Sequence, residues 1–226
     1  MITSSILHSY KRIGREFKKI QQPKSILRLI FVRMHVQGIL SHIKRQVILT
    51  PEEEQFFTSL LIPVKLKQGE FIEEAGEITT NFIHVNSGCL MTYYTDKDGN
   101  DHVVQFSTAG WWTADLHSLT HQLPSIYSTR ALADSEVFLL SKIRLEELLE
   151  RYPVFERFFR IMFQNSLVTH QNRIVQSLSF TAEERYENFQ QKYPQLEQYV
   201  PLKYIASYLG MTPEFLSKIR RKRMDK

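Results

Sequence analysis

The residues best suited to chemistry in this 226-residue chain lie near its end, in the run Thr212-Pro213-Glu214-Phe215-Leu216-Ser217-Lys218-Ile219-Arg220-Arg221. Basic donors, hydroxyls and one carboxylate within a single short stretch are the groups that bond phosphates and base edges. Thr212 can cap a helix, Pro213 fits its first position, and Glu214 sits near its positive end. Leu216 and Ile219, flanked by Phe215, then face inward, which leaves Ser217, Lys218, Arg220 and Arg221 more exposed. Just upstream, Leu202, Ile205, Ala206 and Leu209 give an earlier helix one apolar face, and Gly210 suits the left-handed backbone that ends it. Two short helices, a glycine turn and a basic second helix have the form of a helix-turn-helix, which enters the major groove of DNA. Double-stranded DNA is therefore the expected partner.

Charge is distributed to match. Residues 1–33 carry eight basic residues against Glu16 alone, a net +7, and residues 218–226 carry six against Asp225 alone, a net +5. With +5 for the whole chain, residues 34–217 hold −7. An acidic body with basic ends repels nucleic acid in general and grips it at chosen places.

Other reactive residues offer less. Cys89 is the sole cysteine, so no internal disulfide forms, and it reads as a small core residue rather than a redox switch. His117 and His121, four apart, would share a helix face, but no third ligand is near in sequence, so no metal site is expected. Trp111 and Trp112 either fill a barrel mouth or line a pocket for an apolar or aromatic effector, and the first is the simpler reading. No cofactor is implied and no catalytic group stands out, so an enzyme is not expected; a cupin-type barrel enzyme would need a metal cluster the scattered histidines do not supply.

The elements that position these residues change along the chain. Residues 1–33 read as a basic extension, expected to be disordered and upstream of a second candidate start at Met34; a basic amphipathic surface helix with Ile6, Ile13, Phe17 and Ile20 on one side is the alternative. From Ser41 to Leu61 a helical lead-in is expected, with a strong helix start at Thr50-Pro51-Glu52-Glu53. Five of the eight glycines (Gly69, Gly76, Gly88, Gly99, Gly110) then fall at the spacing of short strands joined by turns. Phe82–Val85, Leu90–Tyr94, Val103–Phe106 and Val137–Leu140 supply strand-like runs, and Asp96–Asp101 reads as a hairpin loop. The fold class is α+β: an antiparallel β-barrel or jelly roll, then helices. Pro153 opens a helix to about Leu178, about 39 Å long. Phe163, Leu167, His170, Ile174 and Leu178 step along it like a coiled-coil seam. Thr181-Ala182-Glu183-Glu184 caps the next helix. No apolar run approaches the roughly 20 residues that span a bilayer, and one cysteine suits a cytoplasmic default.

A barrel, a long linking helix and a C-terminal helix-turn-helix in this order resemble the Crp/Fnr superfamily of bacterial transcription regulators, over about residues 36–224. The residues carrying the resemblance are Gly69-Glu70-Phe71, Gly88, Gly110 and Ala131 to Val137 in the barrel. In the terminal part they are Ile205, Ala206, Leu209, Gly210, Met211, Thr212, Glu214, Leu216, Ser217 and Ile219. The resemblance implies an effector domain over 34–150, a dimerisation helix over 151–178 and a DNA-binding domain over 179–226.

It also implies roles. Pro213, Glu214 and Lys218 fall where family members present base-reading side chains, with Glu214 able to accept from cytosine and Lys218 to donate to guanine. Thr212, Ser217, Arg220, Arg221 and Arg223 are placed for phosphates. Pro213 differs from the basic residue common there, so the usual family operator is not expected.

In cyclic-nucleotide-binding members, backbone N–H groups and a Glu hold the ribose end, and an Arg-Ser pair holds the phosphate. Here the effector pocket would comprise Gly110, Ala114, Asp115 and Leu116, with the pair falling at Pro124-Ser125 or at Ser125-Ile126. Neither register supplies a positive charge, and Arg130 comes several residues too late, so the pocket is expected to be degenerate for cyclic nucleotides. The reading is a homodimeric DNA-binding regulator with an unknown small-molecule effector, RNA polymerase as a further candidate partner, and no membrane association. The alternative is an effector-binding module that acts through protein partners without binding DNA.

Overall fold

A computed structural model describes residues 36–224 of the chain, so the expectations for residues 1–33 lie outside the described residues. Two helices come first, α1 (Gln37–Lys44) and α2 (Pro51–Leu60). The expected helical lead-in is thus two helices, the second starting at Thr50-Pro51 as read, with residues 45–50 between them, where Val47 and Leu49 are buried around an exposed Ile48. Pro51 restricts the residue before it to extended backbone, and Thr50 turns that restriction into a cap. Its hydroxyl accepts from the Glu53 N–H at 3.3 Å, and the Glu53 carboxylate accepts from the Thr50 N–H at 2.7 Å.

Eight strands follow in two four-stranded antiparallel sheets, the jelly-roll form of the expected architecture. One sheet runs β1 (Ile62–Leu66), β8 (Ser135–Ser141), β3 (Asn81–Ser87), β6 (Trp112–Thr113). The other runs β2 (Phe71–Glu73), β7 (Tyr127–Ala131), β4 (Cys89–Thr95), β5 (Asp101–Thr108), with a short helix α3 (Leu116–His121) between β6 and β7. Side chains alternate across each strand. Ile83, Val85, Val137 and Leu139 therefore meet Leu90 and Ala131 between the sheets. Their neighbours Phe82, Phe138 and Leu140 turn to the helices, joining Ile39, Ile43, Phe57, Phe155 and Phe158.

Helices complete the chain: α4 (Lys142–Arg151), α5 (Val154–Ser179), α6 (Ala182–Lys192), a 3-10 turn (Leu196–Gln198), α7 (Leu202–Leu209) and α8 (Pro213–Met224). The long helix begins on the core through Phe155, Phe158 and Phe159 and ends with its apolar residues in the open: Leu167, Val168, Ile174, Val175 and Leu178 are all more than half exposed. Phe163, expected in the seam, instead packs beside Phe82 and Phe159. The open stripe therefore starts one turn later than the sequence suggests.

The terminal helices do not stand apart from the sheets. Met91, Tyr93, Val103 and Phe106, on the outer side of β4 and β5, share one apolar cluster with Tyr186, Phe189, Tyr193, Ile205, Ala206 and Leu209.

The β3–β4 corner depends on Gly88, whose φ is +87°. A Cβ there would lie 2.6 Å from the Asp134 carbonyl oxygen and 2.7 Å from the Ser135 Cα. Gly88→Ala should destabilise by about 2–4 kcal/mol, combining positive-φ strain with a backbone clash. Gly99→Ala, with a similar φ but open space around it, should cost only about 1 kcal/mol. Urea unfolding tests this; equal midpoints for the two variants would contradict the clash.

Candidate nucleic-acid interface and effector cavity

Gly210 closes α7 in the left-handed region at φ 66°, with its N–H bonded to the last turn of the helix. The chain then redirects into α8, where the Thr212 hydroxyl accepts from the Phe215 N–H at 3.2 Å. Leu216 and Ile219 are buried against Ile205, Ala206 and Leu209. That burial leaves Thr212, Pro213, Glu214, Ser217, Lys218 and Arg221 exposed along one open face.

The remaining basic residues face differently. Arg220 is half-buried. Arg223 bonds the Gln190 side-chain oxygen at 3.1 Å and lies 3.5 Å from Glu187, and Lys222 lies 3.5 Å from Glu183. All three of those partners are on α6, so Arg223, though exposed, also braces α8 against its neighbour. Sequence alone gave no sign of this, because the acids that hold it are about 35 residues away.

The pocket residues are divided. Gly110, Ala114 and Leu116 line a cavity of about 360 Å³ between the β5–β6 turn, α1 and α5, which Trp111 and Trp112 also line. Asp115 is not part of that lining; its carboxylate caps α3, accepting from the His117 and Ser118 N–H groups at 3.0 and 3.2 Å. Ser125 is buried, its hydroxyl bonded to the Tyr127 backbone, and Ile126 faces outward. Opposite Gly110 and Ala114, the cavity wall is formed by Asn165, Thr169 and Arg173 of α5 with Lys192 and Tyr208 of the terminal domain. No short-range pattern could have found these, since they come from elements distant in sequence.

Near Ser125 the surroundings are acidic. Glu73 lies half-buried beside Thr129, whose hydroxyl is 3.4 Å from its carboxylate. Burial pushes the Glu73 carboxyl up to about 7, Thr79 and Thr129 oppose that by bonding the charged form, and Asp115 and Glu77 add to it. Arg130, next to inward-facing Thr129 on β7, points the other way. It bonds the Tyr204 hydroxyl of α7, stacks at 5.1 and 5.2 Å over the Tyr93 and Tyr204 rings, and lies 3.8 Å from Asp101.

Cys89 is buried, and burial pushes its thiol up to about 12, which keeps it protonated and inert. The His117 and His121 rings lie 4.7 Å apart on α3. Among the described residues, no group of three or more His, Cys, Asp or Glu is placed to hold a metal ion, and no helix is long and apolar enough to cross a membrane.

Against known families, residues 63–152 match the one described as Cyclic nucleotide-binding domain. Solved structures extend the likeness over more of the chain. FixK2 from Bradyrhizobium japonicum aligns with a TM-score of 0.61 at 19% identity, over 72% of this chain and 83% of that one. The global regulator CLP of Xanthomonas campestris gives 0.63 at 12%, over 78% and 92%. A protein from Eubacterium rectale described as a transcriptional regulator of the crp/fnr family gives 0.59 at 16%, over 77% and 83%. At such identities the likeness is one of fold: the chain has the fold of Crp/Fnr regulators. No curated protein sequence matches it.

Glu73 makes stability depend on pH. The folded chain holds this proton up to about pH 7, whereas an ordinary Glu releases it near 4.5. The folded state therefore binds more protons in between, and this contribution to stability falls as pH rises from 4.5 to 7. Glu73→Gln should flatten that slope and gain about 1–2 kcal/mol over wild type at pH 8, after allowing for partial exposure. Urea unfolding at pH 5 and pH 8 checks it; parallel pH profiles would contradict the assignment.

Proposed function

We propose that the protein is a homodimeric, DNA-binding transcription regulator whose effector is not a cyclic nucleotide. One observation carries this reading: α8 buries Leu216 and Ile219 and thereby holds Glu214, Ser217, Lys218 and Arg221 together on one open, basic face. A helix presented this way fits the major groove, with Glu214 and Lys218 at base edges and Thr212, Ser217 and Arg221 at phosphates. Pro213 contributes shape and no hydrogen-bond donor. Arg220 and Arg223 support the helix from behind more than they meet DNA.

The dimer follows from the open end of α5. Leu167, Ile174 and Leu178 step by seven and four, with Val168 and Val175 beside them, and a second copy of the same helix would cover the stripe. Two reading helices would then meet successive major grooves about 34 Å apart on a two-fold site. That the fold is shared with FixK2 and CLP supports the same reading.

Cyclic nucleotides suit the effector site poorly. The position expected to hold phosphate has Ser125 engaged by its own loop, with Glu73 and Glu77 nearby and Arg130 turned outward. Among the described residues, that position offers a phosphate no positive partner.

Fluorescence anisotropy on a duplex from the gene's own upstream region, against a scrambled duplex, tests the proposal. Selective binding should fall steeply with salt. The double variant Lys218→Ala, Arg221→Ala should weaken it about 30- to 1000-fold and flatten the salt slope by about one. Cyclic AMP should leave the curves unchanged. Weak, equal binding to both duplexes, unaffected by the double variant, would instead favour a module acting through protein partners.

A further inference from the structure

The cavity beside Trp111 and Trp112 carries a charge pattern that its location does not require. Not one Asp or Glu is among the residues that line it, yet Arg173 and Lys192 both do, with His42 and His170. Among the described residues neither Arg173 nor Lys192 has a carboxylate partner. Lys192 instead holds its ammonium 5.0 Å over the Trp111 ring and 5.2 Å over the Tyr193 ring. Arg173 directs three N–H donors to the Val103, Val104 and Tyr208 carbonyl oxygens, which leaves two of a guanidinium's five. The indole N–H of Trp112 is buried and has no partner among the described residues.

These cations act on one another. Burial, then Arg173, lowers the Lys192 pKa, and burial, then Arg173 and Lys192, lowers that of His170. An anion at this place would relieve the repulsion and complete the pairing. Phe82, Phe163, Trp111 and Trp112 bring aromatic rings to the rest of the wall. Such walls favour a flat ligand stacked or edge-on against them. The volume of about 360 Å³ falls in the range of small-molecule sites.

We propose that this cavity binds a small aromatic carboxylate, its ring among Trp111, Trp112 and Phe163 and its carboxylate at Lys192 and Arg173. This deepens the regulator reading above and rests on it for the consequence of binding, though not for binding itself. The wall is drawn from three units: Trp111 and Trp112 from the β-sheet domain, Arg173 from the long helix, Lys192 and Tyr208 from the terminal domain. A ligand that joins them restrains the terminal domain on the other two.

The chain has only two tryptophans, and both line the cavity, so intrinsic tryptophan fluorescence reports this site alone. Full-length protein would be titrated without DNA against phenylacetate, 3-phenylpropionate, phenylacetamide, octanoate and cyclic AMP. Saturable change is expected with an aromatic carboxylate at a Kd of about 1 mM or below. It should weaken about tenfold in Lys192→Gln and be retained in Lys192→Arg, with both variants giving the wild-type circular dichroism spectrum. The proposal is overturned if neither aromatic carboxylate gives a saturable change up to about 10 mM. It is also overturned if phenylacetamide, octanoate or cyclic AMP binds as tightly, or if Lys192→Gln has no effect. DNA anisotropy is read separately, so a chain that binds the carboxylate and ignores DNA would defeat the regulator reading while leaving the site in place.

Discussion

Strand β5 is the edge of its sheet, and how that edge is satisfied organises the rest of the molecule. An open edge leaves N–H and C=O groups unpaired, which invites pairing with other chains. Here Ser207 of α7 covers it: its hydroxyl accepts from the Val103 N–H at 2.9 Å and donates to the Asp101 carbonyl at 2.8 Å. Arg173 of α5 reaches the next carbonyls, of Val103 and Val104, and also bonds the Tyr208 carbonyl with its guanidinium 4.2 Å above the Tyr208 ring. One side chain thus ties the long helix, the strand edge and the terminal domain. Hydrogen bonds from a charged donor contribute about 1.5–3 kcal/mol each, and the apolar cluster of Phe106, Phe189, Tyr193 and Leu209 beneath them excludes water from the junction.

That junction sets the positions of everything functional. With α7 fixed on β5, the Gly210 turn fixes α8 and so the direction in which Glu214, Ser217 and Lys218 face. Arg130 adds a second tie, from β7 to Tyr204. β7 is also the strand that begins beside Ser125 and carries Thr129 against Glu73. Contacts between the sheets and contacts to the terminal helices therefore meet in the same strand, one residue apart on opposite faces. The cavity lies against this junction as well, since Arg173, Tyr208 and Val104 are part of its wall.

Much of this was legible in the sequence, for reasons that can be named. Helix ends followed from side chains that bond their own backbone: Thr50 and Thr181 both form complete capping boxes. Strands followed from alternation, and the last helix from Leu216 and Ile219 set against a run of cations. What escaped has a common cause, because contact between distant segments leaves no local pattern. Phe163 looked like a seam residue, and only the position of Phe82 shows that it belongs to the core. Arg130 comes too late in sequence for the phosphate position, and what it does hold, Tyr204 across the sheet edge, shows only once alternation on β7 turns it outward. Arg223 meets Glu187 and Gln190 of α6, partners that no local pattern announces. The pocket was divided for two reasons: Asp115 caps its own helix, a local competition for its carboxylate, while Arg173 and Lys192, with no motif around them, come from distant segments to form the charged part of the cavity wall.

The central claim is that sheets, long helix and terminal domain form one body, held at the β5 edge. Differential scanning calorimetry of the full chain at fixed concentration tests it most directly. The account predicts a single transition with calorimetric and van't Hoff enthalpies in agreement. Two separate transitions, with the terminal helices melting apart from the sheets, would contradict it.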